Sequence, residues 1–285
     1  MIISASRRTD IPAFYSDWLV NRLNAGYCLV QNPFNPRQIR RVSLLPDDVD
    51  GIVLWTKNAA PLLSKIAVLD KFAYYIQHTI TPYHTDIECN LADKRNIIIP
   101  AFLEFAKHIG AERMIWRYDP ILITSRYNFT YHITAFSRLC ALLEGSTKKC
   151  VISFAIAYKS VAKKMREAGH KELAVQEKIQ LAETLLPIAK SHGITLCACC
   201  ELSELNQLGV HSVSCIDADL FGVNTPRDKN QRKECNCATS IDIGAYNSCM
   251  NGCRYCYANH DEAMVKHNYA GHDPNGELLI GSVCE

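Results

Sequence analysis

Residues 241–258 read IDIGAYNSCMNGCRYCYA. The first six, Ile241–Tyr246, form a short run of strand type. The loop behind them carries Cys249, Cys253 and Cys256 in the spacing C-x3-C-x2-C, and a helix is expected from about Tyr257 to Lys266. Strand, reactive loop and helix in that order make one unit of a parallel α/β fold.

The rest of the chain repeats the unit. Strand-type runs stand at 2–5 (IISA), 28–31 (CLVQ), 51–55 (GIVLW), 72–77 (FAYYIQ) and 112–117 (ERMIWR). Others follow at 151–157 (VISFAIA), 194–199 (ITLCAC) and 212–215 (SVSC). Helical stripes separate them. Phe14, Trp18, Leu19 and Leu23 share a face between Pro12 and Gly26; Ile133, Phe136, Cys140 and Leu143 precede Gly145; Ala182, Leu185 and Leu186 precede Gly193. Such alternation predicts a parallel sheet with helical crossovers, in one domain spanning residues 1–285. A (β/α) barrel, complete or partial, is the leading expectation, and an open doubly wound sheet the second.

In such folds the reactive groups lie just beyond the C-terminal ends of the strands. Polar clusters follow the expected strands here: Ser6-Arg7-Arg8-Thr9-Asp10, Thr56-Lys57-Asn58, Gln77-His78-Thr79, Arg117-Tyr118-Asp119, Tyr158-Lys159 and Glu201. Taken singly, each reads first as an ordinary polar loop, with Asp119-Pro120 as a turn signal. Together they make Arg7, Arg8, Asp10, Lys57, Arg117 and Asp119 the candidate catalytic residues. The arginines suit a carboxylate or phosphate, with Asp10 or Asp119 holding them.

Composition narrows the class. The chain has 285 residues, 48% hydrophobic and 21% charged, and its net charge is 31 − 29 = +2. That balance gives no general pull toward nucleic acid or anionic lipid. The N-terminus, MIISASRRTDIPAF, has neither a signal peptide nor an anchor pattern, which makes a cytoplasmic protein without a membrane partner the expectation.

Fourteen cysteines are many for such a chain. Cys28, Cys89, Cys140 and Cys150 stand alone and read as packing. The remainder crowd the last third, and residues 197–260 form a cysteine-rich segment fit to bind a cluster. Three thiolates within eight residues can ligate three irons of a [4Fe–4S] cubane and leave the fourth iron open, unlike the closed four-cysteine sites of ferredoxins, for which Cys237 or Cys284 would be the fourth ligand here. The alternative is a structural zinc site, with Cys253 and Cys256 joined by Cys235 and Cys237, or all three cysteines by His260. The chain would then be a zinc-stabilised binding protein or hydrolase. Cys235 and Cys237, with Cys200 and Cys215, are candidates for a second site holding an auxiliary iron–sulfur cluster or zinc, against the reading that they are unrelated thiols. Arg227, Lys229, Arg232 and Lys233 form a basic patch nearby.

The cysteine spacing, with the aromatic Tyr255 before the third cysteine, resembles the signature of the radical S-adenosylmethionine superfamily. More narrowly, SRRTDIP, WTKN, WRYDP, DKNQRKECNC and DIGAYNSCMNGCRYCYA look like a bacterial family of domains of unknown function, over nearly the whole chain. The stretch CRYCYA is also similar to that of spore photoproduct lyase. The resemblance implies a [4Fe–4S] cluster on Cys249, Cys253 and Cys256, and S-adenosylmethionine chelated at the open iron. It also implies an electron donor such as flavodoxin or ferredoxin, and a 5′-deoxyadenosyl radical that abstracts hydrogen from a substrate. Tyr255 then lies against the adenine, or is a core aromatic. The superfamily places this motif near the N-terminus, whereas here it is near the C-terminus. Circular permutation reconciles the two, with Ile241–Tyr246 as the first strand of the barrel, beside an N-terminal strand. The substrate is not specified, since no dinucleotide loop, phosphate loop or nucleophile elbow is present.

Overall fold

A computed structural model describes residues 1–200, 204–232 and 234–282. Ten strands occur among them: β1 (Ile2–Ala5), β2 (Tyr27–Asn32), β3 (Asn35–Ser43), β4 (Gly51–Thr56), β5 (Tyr74–Thr79), β6 (Met114–Ile121), β7 (Lys149–Phe154), β8 (Thr195–Ala198), β9 (His211–Ser212) and β10 (Ile241–Asp242). Eight of them form one sheet in the order β10-β1-β4-β5-β6-β7-β8-β9, and every pairing in it is parallel. Apart from β10, that order follows the chain. A doubly wound sheet reverses its order partway; this one does not, so right-handed crossovers lay the helices on a single face.

The sheet is open. β9 and β10 are its two ends and pair with one neighbour each, so the expected complete barrel is not formed. At two residues apiece, both are too short to present a ladder for closure.

The strand period of two sorts side chains between the faces. Ile3, Leu54, Ile76, Trp116 and Ile152 turn outward into the main core, together with Trp18, Phe102, Phe105, Phe136 and Leu185 of the helices. Ile2, Val53, Tyr75, Ile115, Val151 and Cys197 turn to the other face, where residues 213–238 cover them in place of helices. The cover is pinned: the Tyr75 hydroxyl and the Gln77 amide both donate to the Cys215 carbonyl, at 2.7 and 2.9 Å.

Several expected elements differ. The run at 28–31 belongs to an antiparallel hairpin of β2 and β3, outside the large sheet. Its partner is polar and exposed along most of its length, so neither apolar alternation nor burial announced it. The helix expected from Tyr257 begins at Glu262, because the Asp261 carboxylate caps the Ala263 and Met264 amides and starts it there. The helices at Phe129–Leu143 and Val175–Ser191 carry two of the expected stripes, while the first is divided at Tyr15, with Phe14 in a short helix Ile11–Phe14 and Trp18, Leu19 and Leu23 in Ser16–Ala25. No helix among the described residues is long and apolar enough to cross a membrane.

β10 lies beside β1, Ile3 opposite Ile241 and Ser4 opposite Asp242, as the permuted arrangement requires. Asp242 secures the contact by accepting from the Ser4 hydroxyl at 3.1 Å, the Arg7 amide at 2.8 Å and the Gly244 amide at 3.0 Å. The approach is close enough to demand glycine, since a Cβ on Gly244 would stand 2.1 Å from Ser6 Oγ. Ser6 is buried and bonded to Asp242, so it has little room to yield. Gly244→Ala is expected to destabilise by about 1–3 kcal/mol, the usual cost of overpacking. Urea unfolding at constant m-value checks it, and an unchanged midpoint would refute the close approach.

Candidate functional site

Because the strands are parallel, their C-terminal ends share one rim, and a cleft of about 1010 Å³ opens there. Five of the six expected rim clusters contribute to it: Arg7, Arg8 and Asp10; Thr56 and Lys57; Thr79; Arg117 and Asp119; and Tyr158. Glu201, of the sixth, lies outside the described residues, as do Lys233 and Cys284. Two rim residues turn the other way. His78 is fully buried against the Phe102 ring, 5.2 Å between centroids, and burial with Lys57 nearby pushes its pKa down to about 3. Tyr118 is buried in the main core on Trp116 and Phe136. Both follow from the alternation: Gln77, Thr79, Arg117 and Asp119 take the inner face and their neighbours the outer.

The C-x3-C-x2-C loop forms one wall, and Cys249, Cys253 and Cys256 all line the cleft. Gly252 turns the chain between them at φ +65°, and a Cβ there would meet the Asn90 amide nitrogen at 2.8 Å. Residues 87–90 are the loop's support: Glu88 bridges to Cys253 as an isolated antiparallel pair, the Arg254 amide donates to the Ile87 carbonyl, and the Asn90 amide donates to the Asn251 carbonyl. The Asn259 side chain holds the Cys249 carbonyl at 2.6 Å. Cys89 lies beside Gly252 but does not line the cleft.

Glu88 is the electrostatic anchor beneath this wall, and sequence reading passed it over because it lies in an irregular segment with no motif. It is 1% exposed. It accepts from Lys57 and the Thr81 hydroxyl, each at 2.8 Å, and also from Lys94 and the Tyr255 hydroxyl. Burial alone would raise its pKa, but the ammonium groups of Lys57 and Lys94 outweigh it and hold Glu88 at about 2. Lys57 also stands 5.4 Å from the Tyr255 ring centroid. Burial pushes the Cys253 thiol well up, and the same ammonium opposes that only in part. Tyr255, read as an adenine platform or a core aromatic, has its hydroxyl on Glu88 and its ring edge against Tyr83.

Asp10 was expected to hold arginines. Instead it accepts from the Lys57 amide at 2.7 Å, the Asn251 side chain at 3.0 Å and the Ala13 amide at 3.1 Å. It therefore ties the turn after β1 to the end of β4 and to the cysteine loop. Asp119 does pair with Arg117. Arg7 and Arg117 flank the Trp55 indole, at 5.9 and 5.5 Å from its ring centre, and Arg8 lies 5.3 Å from that of Tyr246. His260, offered as a zinc ligand, stacks on Tyr246.

The opposite wall carries the second cysteine set. Cys200, Cys215, Cys235 and Cys237 come together, and Cys199, which sequence reading left out, joins them. A pair of strand-end cysteines at 199 and 200 was its only signal. Among the described residues, no three His, Cys, Asp or Glu side chains converge as the ligands of a metal ion do. Cys28, Cys140 and Cys150 are buried packing, with burial raising the first two thiols to about 12. Arg227, Lys229 and Arg232 are exposed.

These features define an open parallel α/β protein with a polar rim and a cleft walled by two groups of thiols. The chain belongs to the family described as a domain of unknown function (DUF1848), which matches residues 2–258 and so takes in both β1 and the cysteine loop. None of the curated proteins matches it.

Glu88→Gln removes the charge that two buried ammonium groups face. It is expected to cost about 3–5 kcal/mol, as breaking a buried ion pair does. Because the folded pKa of Glu88 lies below its ordinary 4.5, at about 2, its contribution is complete above pH 4.5 and lost as pH falls through 2. Urea midpoints of the two proteins should differ most above pH 4.5 and converge toward pH 2. A difference independent of pH would contradict this assignment.

Proposed function

We propose that the protein is a radical S-adenosylmethionine enzyme, with a [4Fe–4S] cluster on Cys249, Cys253 and Cys256 and a substrate admitted to the cleft. The observation that carries the reading is that one short loop at the rim of a parallel sheet presents three thiols to a cleft of about 1010 Å³. The chemistry of the donor set supports the group: one turn carries three cysteines that line the cleft, and among the described residues Cys89 does not line it and Cys237 is engaged with Cys215 and Cys235. The pairing of β10 with β1 suits the permuted form of the superfamily's partial barrel.

Such a cluster, when bound and reduced, supplies cleavage of S-adenosylmethionine at its open iron to methionine and a 5′-deoxyadenosyl radical, which takes hydrogen from the substrate. The chain's own residues bind and orient. Lys57 places positive charge beside Cys253, which works toward the thiolate that ligates metal and against the burial that pushes the thiol up. Glu88 and Asp10 fix the loop that carries the ligands. Arg7 and Arg8 lie within the cleft, where they suit a carboxylate or phosphate of the bound molecules.

Anaerobically purified, dithionite-reduced protein should release 5′-deoxyadenosine and methionine from S-adenosylmethionine without added substrate. Cys253→Ala should reduce this to background. The variant with Cys249, Cys253 and Cys256 all changed to alanine should hold about four fewer irons per chain than the wild type. If wild type with an intact reduced cluster yields no more 5′-deoxyadenosine than Cys253→Ala, the enzyme reading fails.

A further inference from the structure

Five cysteines on the wall opposite the C-x3-C-x2-C loop make a closed ring of sulfur contacts. Cys199 touches Cys200 and Cys215, Cys200 touches Cys235, Cys235 touches Cys237, and Cys237 returns to Cys215. They come from three separated places: the end of β8, the segment after β9, and the loop before β10. Nothing in helix or strand periodicity brings such positions together. The Cys199 and Cys215 sulfurs are 2.9 Å apart.

The groups around the ring offer hydrogen to sulfur. The amides of Cys215 and Ile216 point at Cys237 Sγ from 3.2 and 3.4 Å, and Arg117 Nη1 stands 3.1 Å from Cys215 Sγ. Two amides and a buried guanidinium aimed at sulfur are donors of the kind a ligating thiolate accepts. Hydrogen bonds of this kind surround the sulfurs of metal–thiolate centres. A simple apolar role for five cysteines would need none of them.

We propose that Cys199, Cys200, Cys215, Cys235 and Cys237 form a second metal centre, and that it holds an iron–sulfur cluster. Iron–sulfur is favoured over zinc by the ligand spacing. Zinc sites draw paired ligands from C-x2–4-C, whereas the pairs here are adjacent (Cys199-Cys200) or one residue apart (Cys235 and Cys237). Adjacent thiolates chelate one tetrahedral ion with strain, but the metal atoms of a cluster stand apart and can each take one. Two thiolates on one zinc would lie about 3.8 Å apart, so the sulfurs as placed must separate to receive any metal. Each ligating thiol gives up its proton on binding. The inference does not depend on the chemistry assigned to the first loop.

The test begins with the anaerobic variant lacking Cys249, Cys253 and Cys256. It should remain brown and retain iron and acid-labile sulfide in equal amounts. Adding Cys215→Ala and Cys237→Ala should remove both, while the same two changes in an otherwise wild-type chain leave the iron of the first loop in place. Should these variants fail to fold, iron per wild-type chain decides: a value well above about four requires a second cluster. A first-loop variant that folds without iron overturns the proposal. So does zinc in place of iron, or mass spectrometry showing the five sulfurs joined as disulfides in freshly isolated anaerobic protein.

Discussion

A parallel pairing only two residues long, Ile3 with Ile241 and Ser4 with Asp242, sets where the groups of the cleft stand. It brings the last strand of the chain against the first and so places the cysteine loop beside the turn that carries Arg7, Arg8 and Asp10. So few ladder bonds cannot hold alone. Asp242 supplements them with side-chain and backbone acceptors across more than two hundred residues of sequence, and Gly244 lets the two segments approach within contact of Ser6.

Once the loop is seated there, buried charge ties it to its neighbours. Glu88 is taken out of water, a costly act repaid only because two ammonium groups and two hydroxyls converge on it. Three of those partners serve the site directly. Lys57 follows β4, Tyr255 belongs to the cysteine motif, and Thr81 follows β5. One carboxylate thus joins the motif to two neighbouring strands, and it leaves a positive group beside Cys253.

The cleft has two unlike walls for a topological reason. With helices confined to one face, the inner face of the sheet is left to residues 213–238. That segment brings Cys215, Cys235 and Cys237 under the end of β8, where Arg117 reaches across from β6 to touch sulfur. The first wall is a compact turn, local in sequence. The second is assembled from distant pieces and exists only in the folded chain.

The sequence by itself determined most of the strands, the amphipathic helices at Ser16–Ala25, Phe129–Leu143 and Val175–Ser191 though not the one at Ile99–Ile109, the parallel α/β class and the three-cysteine loop, because each is written in local spacing: a period of two or 3.6, or ligands within eight residues. It also placed Arg7, Lys57, Arg117 and Asp119 on the rim, since strand ends are legible wherever apolar runs stop. Only the tertiary structure decided the rest. His78 and Tyr118 turned to the core because alternation fixes opposite faces but not which face meets helices. Asp10 bonded amides rather than arginines because three backbone segments meet at its carboxylate. Glu88 and Cys199 gained their partners from segments remote in the chain, and the barrel stayed open because strands of two residues cannot close it. These are long-range outcomes of packing and desolvation, and residue spacing does not encode them.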